Sequence, residues 1–165
     1  MERVIDVAKL LFDEYKKKSG CIIDEMKLHK LLYLVQRESF AITGNAMFDG
    51  MFEGWKYGPV CRSVRSSYTS EDGILEPCDP LSLENAYIVR NVLEEYGGIE
   101  SWKLSELTHK EISWRRSREG LSPDEIGSVP LLPSDIMTDA AKVRPYDHVW
   151  DMYYDEFDDA ECVNI

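Results

Sequence analysis

One helical segment near the N-terminus is apolar around most of its circumference, and it constrains the fold more than any other part of the chain. Asp24 is placed to cap it, and Ile23 and Leu28 are spaced to pack together as a hydrophobic staple. A helix that is apolar on several faces has to be buried on several sides, so the sequence predicts a central helix that ends at Gly44. Its apolar positions are Leu28, Leu31, Leu32, Tyr33, Leu34, Val35, Phe40, Ala41 and Ile42.

A tight turn interrupts the helical pattern after this central helix. Asp49-Gly50 lies between two apolar pairs, and an Asp-Gly pair in that setting is a strong signal for a hairpin turn. Pro59 has its φ angle preset for the first turn of a helix. The sequence therefore predicts a small β-hairpin, followed by a rigid corner that starts a third helix and displays Trp55 and Tyr57.

Helical periodicity continues through most of the remaining chain, which predicts a mainly α, compact multi-helix domain over residues 1–142. Thr108 with Glu111, and Ser122 with Glu125, have the spacing of capping boxes, in which each side chain binds a backbone N–H at a helix start. The other predicted helices span residues 3–18, 59–69 and 83–96, with shorter ones that begin at Ser101, Thr108, Ser122 and Ser134.

The charge of the chain argues against two large classes of partner. Its 31 acidic and 19 basic residues give a formal charge of −12, which disfavours general attraction to nucleic acid or to an anionic membrane. No apolar stretch approaches the length that crosses a bilayer, and the N-terminus does not fit a signal peptide. The four cysteines are scattered and fit reduced, buried thiols. These features predict a soluble, cytoplasmic protein.

Residues 143–165 are predicted to form a helical extension with one aromatic and one acidic face. Five aromatic residues fall at i, i+4, i+7, i+8 and i+11, which makes one stripe along a helix. The stripe either docks on the helical domain and completes its core, or inserts into a groove on a partner, as amphipathic helices do. It consists of Tyr146, Trp150, Tyr153, Tyr154 and Phe157.

No spacing of residues indicates catalysis, a cofactor or a metal site. Nucleophilic catalysis needs a serine or cysteine beside a histidine that a third group orients, and His29, His109 and His148 belong to no such motif. His148 and Asp151 share a helical spacing, but one pair does not fill a metal coordination shell. We therefore expect a protein without catalytic residues, cofactor or metal.

A cluster of arginines is the best argument for nucleic-acid binding. Such a cluster beside an aromatic residue can grip phosphates. The same pattern also fits a solvated helix face, or a face that neutralises the acidic C-terminal segment. The arginines concerned are Arg115, Arg116 and Arg118, with Arg62 and Arg65.

Two groups of motifs, in a fixed order along the chain, resemble the Panacea-domain proteins, which include the SocA-like antitoxins and the phage-associated GepA proteins. The first group comprises residues 27–36, 44–49 and 53–60, and the second comprises residues 104–111 with Trp114. His29 stands where the family pattern has glutamine, and Gly54 where it commonly has alanine. The signature residues, which we interpret as architectural, are Leu28, Lys30, Leu31, Leu32, Tyr33, Gly58, Pro59, Thr108, His109 and Trp114.

The resemblance implies a recognition domain without catalysis, which serves as the antitoxin half of a bacterial or prophage toxin–antitoxin pair. It implies a cognate toxin protein, encoded by an adjacent gene, that the antitoxin neutralises by direct binding. Trp55, Tyr57 and the aromatic stripe are the predicted contact residues, since aromatic anchors dominate interface energies.

Two alternatives stay open at the level of sequence. The first is a DNA-binding transcriptional regulator that represses its own operon, with the arginines facing phosphate. The second is a small hydrolase that uses a Cys–His pair. The oligomeric state is not indicated by any pattern.

Overall fold

The structure, a computed structural model, describes residues 1–144, and within them helices predominate. The helices are α1 (Val4–Ser19), α2 (Glu25–Thr43), α3 (Arg62–Arg65), α4 (Leu83–Tyr96), α5 (Ser101–His109), α6 (Ile112–Ser117) and α7 (Pro133–Ala140). Two antiparallel hairpins are formed by β1 (Phe52–Trp55) with β2 (Gly58–Cys61), and by β3 (Tyr68–Thr69) with β4 (Gly73–Ile74). The predicted mainly α fold with a small hairpin between the second and third helices is confirmed.

Helix α2 is the predicted central helix. Every residue from Lys27 to Ser39 is buried, because α1, α4, α5, α7 and the β1–β2 hairpin all pack against it. Asp24 caps it by accepting a hydrogen bond from Lys27 N (2.9 Å). Ile42 is 46% exposed, so the buried part of the helix ends earlier than its apolar pattern does.

The long helices on either side follow the sequence pattern closely. Helices α1 and α4 lie within one residue of their predicted bounds, and Ser82 caps α4 by accepting from Asn85 N (3.2 Å). Leu83, which belongs to the apolar pattern of α4, is 88% exposed. Ser101 is not a cap: it is the first residue of α5, and its hydroxyl donates to Asp24 Oδ2 (2.7 Å). Within residues 1–144, every helix is too short or too polar to span a bilayer.

The β1–β2 hairpin is present, but its turn is not at Asp49-Gly50. Trp55 lies opposite Gly58 at the end of the antiparallel ladder, so the turn follows Trp55 directly. Pro59 lies inside β2 and does not start a helix, because an edge strand tolerates a residue without an N–H. The helix predicted over residues 59–69 is therefore wrong: only the four residues of α3 are helical, and the β3–β4 hairpin follows.

Long-range hydrogen bonds explain why the Asp-Gly signal fails. The Gln36 side chain of α2 accepts from Met47 N (2.9 Å) and donates to Phe48 O (3.0 Å). Glu2 N donates to Met47 O (2.8 Å). The backbone that would form the first strand of the predicted hairpin is thus already paired with α2 and with the N-terminus.

Neither capping box predicted from local spacing forms. Thr108 lies inside α5, where its hydroxyl donates to Ser105 O (2.9 Å), and Glu111 has no cap hydrogen bond at the start of α6. Ser122 and Glu125 lie in a turn, where Ser122 N donates to the Glu125 carboxylate (3.3 Å) without a helix following.

A buried polar cluster joins α2 to α6 and α7. The Tyr33 hydroxyl lies within hydrogen-bond distance of Glu111 Oε2 (3.2 Å), Ser113 Oγ (3.0 Å) and Asp139 Oδ2 (3.1 Å). Asp139 also accepts from Ile112 N (2.7 Å) and Ser113 N (3.0 Å). Asp139 of α7 therefore supplies the helix cap of α6 that no residue near α6 provides.

Arg37 continues this cluster toward α4. Its guanidinium donates to Glu111 Oε1 (3.1 Å), to Glu38 Oε1 (3.0 Å) and to the Tyr96 hydroxyl (3.0 Å). Arg37 Nε and Glu38 Oε2 are buried and have no hydrogen-bond partner among residues 1–144. Burial raises the pKa of Glu38 and of Glu111, and the Arg37 charge opposes that rise. The cluster connects α2, α4, α6 and α7. The protonation state of each charged group in it depends on the charges of the others.

Candidate partner-binding site

The β1–β2 hairpin is anchored to α2 through its backbone groups. Lys30 Nζ donates to Pro59 O (3.1 Å), and Cys61 N donates to His29 Nδ1 (3.2 Å). Adjacent residues of one buried helix thus bind one strand at two points. Strand β2 is fully buried as a result.

Helices α5 and α6 hold the turn of the same hairpin. The Ser105 hydroxyl of α5 donates to Tyr57 O (2.6 Å). The Trp114 indole of α6 donates through Nε1 to Trp55 O (2.8 Å). Both bonds occupy main-chain carbonyls at the turn, so the backbone there is fixed while the side chains of Trp55 and Tyr57 are left to face outward.

The outer edge of β1 is covered by the connector that precedes α7. Gly54 N donates to Val129 O (2.9 Å), and Leu131 N donates to Phe52 O (2.8 Å). A Cβ atom at Gly54 would collide with the Ser117 side chain, so the close approach of α6 to β1 requires glycine at this position. The hairpin therefore has no open edge on the β1 side.

Arg118 secures the connector and does not form a phosphate-binding surface. Its side chain is buried and donates to Gly54 O (3.2 Å), Ile126 O (2.8 Å) and Glu125 O (2.6 Å). Arg116 is ion-paired with Asp135. Two members of the predicted arginine cluster therefore have structural partners, which weakens the case for nucleic-acid binding.

The hairpin tip, defined as Trp55, Lys56 and Tyr57, presents aromatic side chains to solvent in fixed positions. Tyr57 is 56% exposed and Trp55 is half-buried. The Arg65 guanidinium lies 5.0 Å from the Trp55 ring centre, and Lys56 Nζ lies 5.3 Å from the Tyr57 ring centre. Trp55 Nε1 also donates to Glu53 Oε2 (2.7 Å). Cation–π contacts of this kind restrain the rings before any partner arrives.

A pocket of ≈ 380 Å³ lies between the hairpin tip and the first turns of α2. That volume is within the range of small-ligand pockets in proteins. Its lining includes Met26, His29, Lys30, Trp55, Tyr57, Val60, Arg65 and Ile126.

His29 is neutral in this setting. Burial, with the charges of Lys30 and Arg65, lowers the pKa of His29 to about 3. Nδ1 accepts from Cys61 N, so the ring proton is assigned to Nε2, which faces Glu25 Oε1 at 3.3 Å. The His29–Glu25 contact is therefore a hydrogen bond between a neutral ring and a carboxylate, and not an ion pair.

Lowering the pH from about 7 to about 5 is expected to cost the wild-type protein about 2 kcal/mol of unfolding free energy that a His29→Gln variant does not lose. The unfolded chain takes up a proton on His29 near the ordinary pKa of 6.5, whereas the folded protein excludes it until about pH 3. Stability therefore falls as the pH falls through this window. Urea unfolding of both proteins at both pH values measures the difference. Equal losses in the two proteins would show that folded His29 does take up the proton.

Lys30 is a buried cation beside the same pocket. Burial lowers its pKa to about 7, and Asp24 and Glu25 only partly oppose that shift. The side chain passes so close to Gly58 that a Cβ atom there would lie 2.6 Å from Lys30 Cε and 2.6 Å from Thr108 Oγ1. Glycine at position 58, with its φ of +114°, is what lets Lys30 reach the strand.

The structure brings the two distant signature groups together around the hairpin. Residues of α2 bind β2, and residues of α5 and α6 bind the turn, as described above. His109 stacks on Trp114 with ring centres 4.0 Å apart. Leu28, Leu31, Leu32, Tyr33, Lys30 and Thr108 are at most 1% exposed, Gly58 and Pro59 are buried, and His109 and Trp114 are half-buried. The predicted contact residues Tyr146, Trp150, Tyr153, Tyr154 and Phe157 lie outside the described residues.

Sequence reasoning missed the residues that position the hairpin by long-range contacts. Ser105 and Arg118 carried no local signal, because a serine in a helix and an arginine among other arginines are common. Arg65 was noted only as a basic residue, although it stacks on Trp55. Its pairing with Glu25 (2.9 Å) connects α3 to the start of α2 and could not be deduced from spacing.

The described residues contain no arrangement suited to nucleophilic or metal chemistry. Both ring nitrogens of His29 have partners other than the Cys61 thiol. His109 Nε2 lies 3.5 Å from Ser105 Oγ, but that hydroxyl already donates to Tyr57 O. Within residues 1–144, no three His, Cys, Asp or Glu side chains are placed to hold a metal ion.

Comparison with known proteins gives one match. The family model described as antitoxin SocA-like, Panacea domain, matches residues 28–115, just over half of the chain. These residues run from the first turn of α2 into α6 and include the hairpin with its anchors on α2, α5 and α6. Arg118 and the connector residues Val129 and Leu131, which also hold the hairpin, lie beyond the match. No curated protein and no solved structure matches the chain significantly.

Proposed function

We propose, since this chain belongs to the SocA-like antitoxin family with a Panacea domain, that it is the antitoxin of a bacterial or prophage toxin–antitoxin pair. It neutralises a cognate protein toxin, encoded by an adjacent gene, by direct binding in the cytoplasm and without chemistry of its own. One observation on this chain supports the proposal. The family-matched region surrounds a hairpin whose backbone is anchored on every side and whose aromatic tip is exposed.

The anchoring of the hairpin supports a role in recognition. Ordering a flexible loop during association costs free energy, and a preformed loop avoids that cost. The hairpin tip is preformed, because Ser105 and Trp114 fix its carbonyls and Arg65 restrains the Trp55 ring. Exposed aromatic residues next to cations are the composition that binding hot spots favour.

The C-terminal aromatic stripe is proposed as a second contact. Residues 143–165 form an extension to the helical domain of residues 1–142 in this proposal, and the stripe inserts into a groove on the toxin. Docking of the stripe on the antitoxin's own domain is the competing interpretation. The hairpin tip is tested first, because its geometry is defined.

Co-expression with the protein encoded by the neighbouring gene tests the function. The antitoxin is expected to restore growth and to co-purify with the toxin. Persisting growth arrest, with no complex recovered, would remove the antitoxin assignment. This experiment requires no variant and is therefore independent of which surface makes the contact.

Tyr57→Ala is expected to weaken toxin binding by about 30-fold, which corresponds to about 2 kcal/mol at a hot spot. Tyr57 is 56% exposed, so its truncation leaves the core intact. Trp102→Ala is the matched control, because Trp102 is an aromatic residue of similar exposure, 55%, outside the hairpin. Calorimetric titration of the purified toxin with each variant measures the effect. An equal loss in both variants, or in neither, would place the contact elsewhere.

A further inference from the structure

The pocket between the hairpin tip and α2 contains a buried cation without a counter-ion. Lys30 is 1% exposed and forms no ion pair with any residue of the described part of the chain. Pro59 O, at 3.1 Å, is its one hydrogen-bond acceptor there. An ammonium group has three N–H donors, so two of them have no acceptor among the described residues.

The other charges around the pocket already have partners. Arg65 pairs with Glu25 (2.9 Å), and Lys56 pairs with Asp124 (3.4 Å). Among the lining cations Lys30 therefore differs in having no carboxylate of the described residues within ion-pair distance, although Asp24 and Glu25 act on its charge from further away. The remaining wall is largely apolar, through Met26, Val60 and Ile126 together with the aromatic rings of the hairpin tip.

We propose that this pocket binds a small organic monocarboxylate with an apolar or aromatic body, whose carboxylate pairs with Lys30. The single negative charge of a carboxylate matches the single positive charge of the Lys30 ammonium group. A dianion such as phosphate fits less well, because the Glu25 carboxylate also lines the pocket and would repel the second charge. The inference does not rest on the proposed function, since the ligand binds the isolated protein.

Binding of the carboxylate is linked to proton uptake by Lys30. In the free protein the pKa of Lys30 is lowered to about 7, so the amine is mostly neutral at higher pH. A bound carboxylate favours the ammonium form, so its affinity is expected to fall by up to about tenfold in all between about pH 6 and pH 9 and then to level off. The other titratable groups that face the pocket are Glu25, His29, Lys56, Tyr57 and Arg65. All of them are retained in a Lys30→Met variant, so comparison with that variant isolates Lys30.

The probes are 4-phenylbutyrate and its uncharged analogue 4-phenylbutanamide, titrated calorimetrically into the full-length protein. The acid is expected to bind with a dissociation constant on the order of 1 mM, and the amide about tenfold more weakly. Lys30→Met is expected to weaken binding of the acid about tenfold and to leave the affinity of the amide unchanged. Lys9→Met, which removes a cation that Asp13 balances (2.8 Å) away from this pocket, is the matched control and is expected to change the affinity of neither probe.

Equal affinities of the acid and the amide for the wild-type protein would overturn the proposal without recourse to any variant. It would also fail if Lys30→Met and Lys9→Met had the same effect, or if acid binding did not depend on pH. Absence of probe binding, together with a toxin complex that Lys30→Met weakens, would assign the pocket to a carboxylate of the toxin instead. Failure of the toxin to bind at all leaves these ligand titrations unaffected, so the two proposals fail separately.

Discussion

Arg37→Met is expected to lower the free energy of unfolding by about 3–5 kcal/mol, the usual cost of removing one partner from a buried ion pair. Arg37 is 3% exposed, and its guanidinium is the cation shared by Glu38 and Glu111. Without it, two buried carboxylates remain with no positive partner among the cluster residues. Glu38 Oε2 already lacks a hydrogen bond in the wild-type protein, so the cluster has no spare donor to compensate.

The pH dependence of this loss follows from the same carboxylates. Burial raises the pKa of Glu38 and of Glu111, and removing Arg37 removes the charge that opposes the rise. Protonation relieves an unpaired buried carboxylate, so the loss is expected to shrink as the pH falls below neutrality. Urea unfolding of wild type and variant over a range of pH measures both effects.

Two controls separate charge from packing in this experiment. Adding Glu38→Gln and Glu111→Gln to Arg37→Met is expected to recover most of the lost stability, because the triple variant no longer contains the two carboxylates that Arg37 pairs with. Arg90→Met is the surface control. Arg90 pairs with Glu14 at 3.5 Å in an exposed setting, where an ion pair contributes less than about 1 kcal/mol. If Arg37→Met cost no more than Arg90→Met, the buried cluster would not contribute as described.

Gly58→Ala is expected to destabilise the fold by about 3–4 kcal/mol through strain and overpacking together. The φ of Gly58 is +114°, which an L side chain rarely adopts, and its Cβ position is 2.6 Å from both Lys30 Cε and Thr108 Oγ1. Neither side chain can move away freely, because Lys30 donates a hydrogen bond to Pro59 O and Thr108 donates one to Ser105 O. Chemical denaturation measures the loss.

Gly120→Ala provides the matched control for backbone strain. Gly120 also has a positive φ, +81°, but no heavy atom lies within 4 Å of its Cβ position. Its substitution is expected to cost about 1 kcal/mol, from backbone strain alone. The difference between the two variants measures the close approach of Lys30 and Thr108 to the hairpin. Equal losses of unfolding free energy in the two variants would show that contact with Lys30 and Thr108 does not add to the cost of Gly58→Ala.

The long helices could be predicted because their signals are local. The pattern of α2 spans many residues, and its cap at Asp24 and its end at Gly44 agree with that pattern. The start of α6 could not be predicted in this way, since its cap is Asp139, which lies 27 residues further along the chain. Glu111, which has the right spacing for a capping box, is bound to Arg37 and Tyr33 instead.

The candidate site was predicted only in part, for the same physical reason. Trp55 and Tyr57 stood out because aromatic residues flank a Gly-Pro pair, and the structure places them together at one turn. The position of that turn depends on Gln36, Ser105 and Trp114, none of which is near it in sequence. The buried state of Lys30 was equally hidden, because a lysine between leucines in a helix gives no indication of its surroundings.

The covered backbone of the β1–β2 hairpin limits how this protein can evolve. Strand addition requires free main-chain groups, and here the connector occupies one edge while Lys30, His29 and Ser105 occupy carbonyl and amide groups of the other strand and the turn. If the hairpin contacts the toxin as proposed, it therefore does so through side chains at the tip and not by strand addition. In that proposal, substitution at three adjacent codons would alter this contact while the scaffold that carries them stays the same.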